Sequence, residues 1–436
     1  VRSGRPGRLG DGDVTATTIP VPLGDAGTSG AGGGGHCAPG PGRPGLPERT
    51  GRLGDGDVTA TTIPVPLGDR SYDVLVGPGV RASLAEVVRG LGAKRAVVVS
   101  ARPAEWVPDT GVETLLLPAR DGERAKTLAT VEALCGEFVR FGLTRSDVVV
   151  SCGGGTTTDV VGLAAALYHR GVAVVHLPTS LLAQVDASVG GKTAVNLPGG
   201  KNLVGAFWQP RAVLCDTDHL STLPRRELLN GLGEIARCHF IGAGDLRGLP
   251  LAEQIAASVT LKAGIVAADE RDAGVRHLLN YGHTLGHALE VATGFGLRHG
   301  EAVAIGTVFA GRLAGALGRI GPPRVAEHLA VVRHYGLPAA LPAGVDPAAL
   351  VRQMRRDKKA VDGLGFVLDG PAGAELVRDV PEDAVVDVLA GMPRAPLDEL
   401  TGPAATGAPA TGTPATDAPV TDAPVTDAPV TDAAPA

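Results

Sequence analysis

Six short apolar runs punctuate the first half of the core: DVLVG (73–77), AVVVS (96–100), TLLLP (114–118), DVVVSC (147–152), VAVVHLP (172–178) and AVLCD (212–216). Runs rich in β-branched residues and without polar alternation are those of strands buried on both faces. Between them Arg81–Leu91 and Arg124–Phe141 carry apolar residues at helical spacing, which predicts βαβ units around a parallel sheet. From about Leu223 the β-runs stop, and Leu251–Ala268, Arg276–Ala292 and Glu301–Leu317 read as long helices. The expected fold class is α/β: a parallel-sheet domain followed by a mostly helical domain, with a cleft between them at the carboxyl ends of the strands, where ligands of such folds bind.

The 436 residues leave room for both domains once the two ends are set aside. Residues 1–57 hold few large apolar side chains and include glycine-rich stretches such as Gly24–Gly35, which predicts a disordered extension. Within it Gly7–Asp25 recurs unchanged as Gly51–Asp69, and only the second copy runs on into a strand pattern, SYDVLVGPG. The first copy reads as a duplication or an over-extended reading frame, with a true start near Val58. Residues 399–436, with three TDAPV repeats, read as a disordered Pro/Ala/Thr tail. The sheet domain is then 58–222 and the helical domain 223–398.

Several function classes drop out early. A formal charge of −6, from 46 acidic against 40 basic residues, gives no basic field to hold a nucleic-acid backbone. Five scattered cysteines without CxxC spacing argue against a disulfide framework or a cysteine zinc cluster and predict a reducing compartment. Neither a membrane-spanning apolar run nor a secretory signal is expected, so the protein reads as cytoplasmic, with no membrane partner.

Four constellations carry chemistry. Cys152-Gly-Gly-Gly-Thr-Thr-Thr-Asp159 follows a strand and opens a helix, so it is either a phosphate or dinucleotide loop or a tight strand-to-helix turn. Asp121-Gly122-Glu123-x-x-Lys126 lies at another strand end, where Glu123 and Lys126 suit ribose hydroxyls and a phosphate, or simply a solvated helix start. The stretch Leu177–Asn202 sets Asp186, Lys192, Lys201 and Asn202 in glycine-rich loops, which fits a phosphorylated or carboxylated ligand. Finally Arg276, Asn280, His283 and His287 precede His299-Gly300-Glu301; with the distant Glu234 they offer a zinc site in which two of three histidines are ligands, the spacing leaving open which two.

Taken together, GGGxxxD, PTxLLxxVDxxVGGKTxVNxxxGKN, LNxGHTxGHA, HGEAV and RDKK, in this order from Gly153 to Lys359, resemble 3-dehydroquinate synthase and its sugar-phosphate cyclase relatives. The resemblance implies a Rossmann-like N-terminal domain that binds NAD, and a catalytic divalent metal, zinc or alternatively cobalt, held by the helical domain. It implies transient oxidation of a substrate alcohol, β-elimination of phosphate, re-reduction, ring opening and intramolecular aldol closure. The metal ligands become Glu234, His283 and His299, leaving His287 to the substrate. Lys192, Asn202, Asn280 and His287 match phosphate binders, and Arg170 an arginine reaching in from the other subunit of a homodimer. Arg276 and Asp357-Lys358-Lys359 match the carboxylate end, while Lys262 and Asp186 match groups around the ring hydroxyls. The NAD contacts fall on Glu123, Lys126, Gly153, Gly154, Gly155, Asp159, Thr179, Ser180, Lys201 and Thr222.

Departures from the family pattern narrow the reading. Where dehydroquinate synthases carry Glu-x-x-Lys, this chain has Glu234-Ile235-Ala236-Arg237, and Arg is not equivalent to Lys at such a site. KAGIV at Lys262, Ser180 in place of a commoner threonine, and Thr156–Thr158 in the glycine loop depart in the same way. These features resemble the aminodehydroquinate synthases of ansamycin antibiotic pathways, which cyclise an amino-substituted heptulosonate phosphate. On that reading Arg237 faces the substrate carbon that bears amine or hydroxyl. The alternatives are an ordinary 3-dehydroquinate synthase of the shikimate pathway with Arg237 a tolerated variant of lysine, a metal-dependent alcohol dehydrogenase, and a non-catalytic relative. Arg276 with Lys358 or Lys359 argues against the neutral-sugar cyclases, whose substrates present no carboxylate.

Overall fold

The computed structural model describes residues 60–120, 122–357 and 363–402, so the first repeat copy and nearly all of the 399–436 tail lie outside the described residues. All six apolar runs are strands. In chain order the first nine are β1 (Thr61–Val65), β2 (Tyr72–Gly77), β3 (Arg95–Ser100), β4 (Glu113–Pro118), β5 (Val148–Gly153), β6 (Ala173–Pro178), β7 (Lys192–Leu197), β8 (Gly200–Phe207) and β9 (Ala212–Asp216). Seven form one sheet in the order β1-β2-β9-β6-β5-β3-β4. Every pairing in it is parallel except β1 on β2, so the second repeat copy does join a sheet, as an antiparallel edge.

The alternation of side chains along these strands splits them between two cores. Leu75, Val98, Val150 and Leu214 pack on one face beneath α1 (Leu84–Gly90). On the other, Val97, Val99, Val149 and Val174 lie under α2 (Leu128–Phe141) and α3 (Gly155–Leu167). Val74, Val76, Val213 and Cys215 instead join the core of the helical half. One expectation fails at the edge: β4, the last strand of the sheet among the described residues, is not buried on both faces, and Leu116 stays 39% exposed.

The helical half contains α4 (Arg225–Cys238), α5 (Leu251–Ala268), α6 (His283–Ala292), α7 (His299–Ala316), α8 (Pro322–His334), α9 (Pro347–Asp357) and α10 (Glu382–Ala390). Pro224, Pro250 and Pro381 stand immediately before α4, α5 and α10, where a fixed φ and a missing N–H cost nothing. The helix expected over Arg276–Ala292 is broken. Val275–Asn280 is a 3-10 turn, and Gly282 (φ +78°) resets the chain before α6. The β-runs also do not stop altogether, since Phe366–Leu368 pairs with Glu375–Val377 and Leu341–Pro342 with Arg394–Ala395. By length and composition alone α5 could cross a membrane, contrary to the sequence reading. In the fold it is a core helix: Ile255, Val259, Ile265 and Val266 are buried, and Lys262 is held inside against Asp186.

Glycines set how closely these helices cross. A Cβ on Gly233 of α4 would lie 2.3 Å from Gly300 O of α7, and one on Gly300 would lie 1.9 Å from Asn230 O. A Cβ on Gly306 of α7 would meet Gly282 O at 1.9 Å, and one on Gly282 would meet Val303 O at 2.8 Å. Backbone, which cannot swing aside, stands on each side of these contacts. Gly300→Ala is expected to destabilise the protein by at least the ~1–3 kcal/mol typical of overpacking. Gly264→Ala, at an exposed position of α5 with nothing within 4 Å, should instead stabilise by about 0.5–1 kcal/mol. Denaturant melts of the two variants check the contrast, and equal effects would contradict the close crossing.

Candidate active site

The glycine loop is shaped by contacts that exclude side chains. A Cβ on Gly153 would fall 2.4 Å from Thr157 Oγ1, one on Gly155 3.1 Å from the Ala187 methyl, and one on Gly154 3.4 Å from Ser180 Oγ. Thr179 N–H donates to Gly153 O at 2.9 Å, so Gly153, Gly154, Gly155, Thr179 and Ser180 gather where β5 and β6 end. The loop thus leads into the N-terminus of α3 at Gly155, where Thr157 and Thr158 N–H already bond Gly154 O and the helix start is the kind of place that receives a phosphate. One turn further on, Asp159 meets Lys126 Nζ at 2.6 Å, and Lys126 also donates to Asn202 Oδ1 at 2.5 Å. Burial pushes the Asp159 carboxyl up to about 6, against the pull of Lys126.

Here the sequence reading needs a correction. Lys192, Lys201 and Asn202 do not sit in loops but on the β7–β8 hairpin, antiparallel with a register shift between Val195 and Leu197. Asp186 lies on a short π-helical turn, Ala183–Ala187. Asn196, on β7, stitches the hairpin to the first half. Its N–H donates to Lys126 O at 2.9 Å, its Nδ2 to Glu123 Oε1 at 2.7 Å, and its Oδ1 accepts from Asn202 N–H at 2.8 Å.

Three buried charges, Glu234, Arg237 and Lys262, meet the half-buried Asp186. Lys262 Nζ donates to Asp186 Oδ1 at 2.7 Å and to Asp186 O at 2.5 Å. Arg237 Nη2 lies 2.7 Å from Glu234 Oε2 and 3.8 Å from Asp186 Oδ1, while its Nη1 donates to Leu279 O at 2.6 Å. The guanidinium is 1% exposed. Arg237 is therefore tied into the protein through both terminal nitrogens instead of standing free, and its buried Nε has no partner.

Glu234 on α4, His283 at the start of α6 and His299 at the start of α7 converge. Glu234 Oε1 is 3.5 Å from His283 Nε2 and 3.3 Å from His299 Nε2, and one atom from each lies within 4.8 Å of the others. His283 Nδ1 lies 3.1 Å from Tyr281 O, and His299 Nδ1 lies 3.1 Å from Glu290 Oε2. With those nitrogens carrying protons, both Nε2 lone pairs face Glu234. That carboxylate is 1% exposed, and neither oxygen has a directed hydrogen-bond donor despite the neighbouring Arg237. Two imidazole nitrogens and one buried, under-satisfied carboxylate are the donor set of a catalytic divalent ion with open positions. The local charge agrees. Burial opposes a cation on His299, yet Glu234 and Glu290 push it up to about 10, and a divalent ion at Nε2 would take that proton's place.

The other expected residues divide. His287 packs its ring 5.4 Å from that of His283 and 5.9 Å from that of His299, beside the cluster. Lys201 Nζ reaches Glu290 Oε1 at 3.4 Å and lies 4.0 Å over the Phe295 ring. Lys192 pairs with Asp272 at 2.5 Å, and Arg276 donates to Gly190 O at 2.9 Å and Glu270 O at 2.5 Å, so both flank the 269–276 turn. Asn280 ends that turn, half-buried. Thr222 donates its hydroxyl to His219 O at 3.4 Å. Arg170 is not brought to the site: it is exposed beyond the far end of α3, which at 13 residues puts it about 20 Å from the glycine loop. Lys358, Lys359 and Asp121 lie outside the described residues. Glu290, Asn196 and Asp272 were not singled out from the sequence. Only Glu290 carried a signal, standing one turn after His287 and two after His283 on the helix.

A parallel sheet with a phosphate-ready helix start, followed by helices that bring together a carboxylate and two histidines, is an architecture this chain shares with solved sugar-phosphate cyclases. The structure of 2-deoxy-scyllo-inosose synthase with carbaglucose-6-phosphate, NAD+ and Co2+ superposes with a TM-score of 0.70 at 28% identity, over 76% of this chain and 100% of that one. 2-epi-5-epi-valiolone synthase from Streptomyces hygroscopicus subsp. jinggangensis 5008, with NAD+ and Zn2+ bound, gives 0.66 at 28%, over 74% and 97%. Residues 116–230 match the model of the 3-dehydroquinate synthase N-terminal region and residues 231–360 that of its C-terminal region. The chain belongs to the 3-dehydroquinate synthase family. A protein of Amycolatopsis mediterranei (strain S699) named "Putative aminodehydroquinate synthase" is 84% identical over 333 residues, covering 76% of this chain and 95% of that protein. The 3-dehydroquinate synthase of Xanthomonas campestris pv. campestris (strain 8004) is 43% identical over 352 residues, covering 73% and 95%.

Glu234→Ala and His283→Ala are each expected to purify with strongly reduced zinc, because three protein ligands are what leave a catalytic zinc its open position. Elemental analysis of the purified variants checks this. Undiminished zinc in either one would remove that residue from the ligand set.

Proposed function

We propose that this protein is an aminodehydroquinate synthase: an NAD- and zinc-dependent cyclase that eliminates phosphate from an amino-substituted heptulosonate 7-phosphate and closes the carbocycle by an intramolecular aldol reaction. The observation that carries the proposal is the convergence of Glu234, His283 and His299 beside His287, with the hairpin reaching the same cluster through Lys201 and Glu290 and meeting the helix after the glycine loop through Lys126, which bonds both Asn202 and Asp159. NAD, when bound, would accept and return a hydride, and the metal would draw electron density from the substrate's oxygens.

The chain's own residues supply position and charge. The loop Gly153–Gly155 with Thr179, Ser180, Asp159, Lys126, Glu123, Lys201 and Thr222 would hold the dinucleotide; Glu234, His283 and His299 would hold the metal. Lys192, Asn202, Asn280 and His287 would bind the phosphate, whose own oxygens collect the proton released from the acidified neighbouring carbon as the C–O bond breaks. Cations, not a strong base, are what that step demands. Arg276 with Lys358 or Lys359 would anchor the carboxylate, and Asp186 and Lys262 the ring hydroxyls. Arg170 would complete the phosphate site from the second subunit of a homodimer. The domain limits proposed are 58–222 for NAD and 223–398 for metal and substrate, in a cytoplasmic enzyme of antibiotic biosynthesis.

The amino substrate is favoured by the 84%-identical relative and by Arg237. The second reading, ordinary 3-dehydroquinate synthase, is supported by relatives at 43% identity. One assay separates these from a dehydrogenase: phosphate release with no net NADH, run on the amino and hydroxyl substrates side by side. A higher kcat/KM for the amino substrate is expected, and net NADH accumulation would sink the cyclase reading. Arg237→Lys should shift the kcat/KM ratio towards the hydroxyl substrate by roughly ten- to two-hundred-fold, the scale of one altered contact. Equal changes with both substrates would leave 3-dehydroquinate synthase as the better name.

A further inference from the structure

We propose that Glu290 is a positioning residue for the metal site: its carboxylate accepts the hydrogen bond of His299 Nδ1–H, turns that imidazole's Nε2 towards Glu234 and His283, and ties the ring to the β7–β8 hairpin through Lys201. This rests on the metal reading of the Glu234, His283 and His299 cluster. Glu290 Oε2 lies 3.1 Å from His299 Nδ1, and its Oε1 lies 3.4 Å from Lys201 Nζ. It is 8% exposed and belongs to α6, the helix that His283 opens. One helix thus provides a candidate ligand directly and orients another through its neighbour. A carboxylate accepting the distal N–H of a ligating histidine fixes the tautomer and raises the basicity of the nitrogen that faces the metal.

His299 belongs to two possible triads, because His287, Glu290 and His299 also place one ligand atom each within 4.8 Å of one another. Two features favour Glu234 as the ligand and Glu290 as the support. Both Glu234 oxygens are buried without directed donors, whereas each Glu290 oxygen already has a partner. His283 has its Nδ1 held by Tyr281 O, in the same way that Glu290 holds the Nδ1 of His299, so two imidazoles point their free nitrogens at one carboxylate. Lys201 offsets the charge of Glu290, and its ammonium lies over the ring of Phe295, three residues beyond the end of α6. The hairpin that carries Lys201 and Asn202 is thereby registered against the metal ligands.

The test needs no substrate. Apoprotein of the full chain, as wild type, Glu290→Gln and Glu290→Leu, is titrated with Zn2+ against a chromophoric chelator, with Co2+ as a spectroscopic probe and a melting curve of each apoprotein. The Leu variant should bind Zn2+ about 10- to 100-fold more weakly. The Gln variant should lose less, since its amide oxygen still accepts the Nδ1 proton, and both should keep the wild-type shape of the Co2+ visible bands and the wild-type apoprotein melting temperature. Wild-type Zn2+ affinity in both variants would overturn the proposal. So would weakened binding that merely tracks a lowered apoprotein melting temperature. Altered Co2+ bands in the Gln variant would make Glu290 a ligand and overturn its supporting role. Failure of the wild type to bind either ion would instead bring down the metal reading itself.

Discussion

Everything at the candidate site depends on how closely three helix segments approach one another. Each proposed metal ligand sits next to a glycine that touches another segment's backbone: Gly233 beside Glu234, Gly282 beside His283, and Gly300 beside His299. Helix axes separated by ordinary side chains lie 8–10 Å apart, which would spread the three donor atoms. With backbone against backbone, short side chains such as Glu and His can share a space a single ion would fill. Gly300 N–H donating to Asn230 Oδ1 at 2.7 Å locks α7 to α4 at that point, and Arg226 holds Glu301 through two contacts of 2.8 Å, closing the first turn of α7.

The second constraint is charge. Glu234, Arg237 and Lys262 are brought inside together against the half-buried Asp186, and buried charges of this kind repay their desolvation only when nearly every group is partnered. Asp186 and Lys262 satisfy each other, and Arg237 sets its charge against Glu234 while donating to the Leu279 carbonyl. Glu234 is the member left with under-satisfied oxygens, and it is the one that faces two imidazole nitrogens. A planar guanidinium serves this place differently from an ammonium, since it reaches the carboxylate and the backbone of the segment before α6 at once. Substrate choice through Arg237 would then act by placing Asp186, Lys262 and the Leu279–Asn280 segment as well as by any direct contact.

Much of this architecture was legible in the sequence because it rests on local pattern. Unbroken β-branched runs marked six strands to within a residue or two, and α5 ran over the residues its periodicity assigned. The β7–β8 hairpin escaped because KTAVNLPGGKNLVGAF mixes strand residues with glycine, lysine and asparagine, and β8 keeps much of its length exposed. The break before α6 escaped because apolar spacing continues across it, while the φ of +78° at Gly282 follows from contact with Val303 and Thr307, 21 and 25 residues further along the chain. Of the site, Glu234, His283 and His299 came from a resemblance of ordered motifs, since spacing alone left the choice between histidines open. Of the partners of Arg237, Glu234 stands one turn away on the same helix, but the Leu279 carbonyl and Asp186 were beyond reach, because one is backbone and the other lies on a segment that only the fold brings near. Glu301, adjacent in sequence to the His299-Gly300 pair, turns out to face Arg226.

The central claim is that α4, α6 and α7 together hold one metal ion between Glu234, His283 and His299. Anomalous diffraction at the zinc absorption edge, on crystals of the protein grown with zinc and NAD, tests it most directly. The account predicts a single strong peak about 2.0–2.2 Å from a Glu234 oxygen and from the Nε2 atoms of His283 and His299. A peak bounded by His287, Glu290 and Nδ1 of His299, or one away from this crossing, would contradict it.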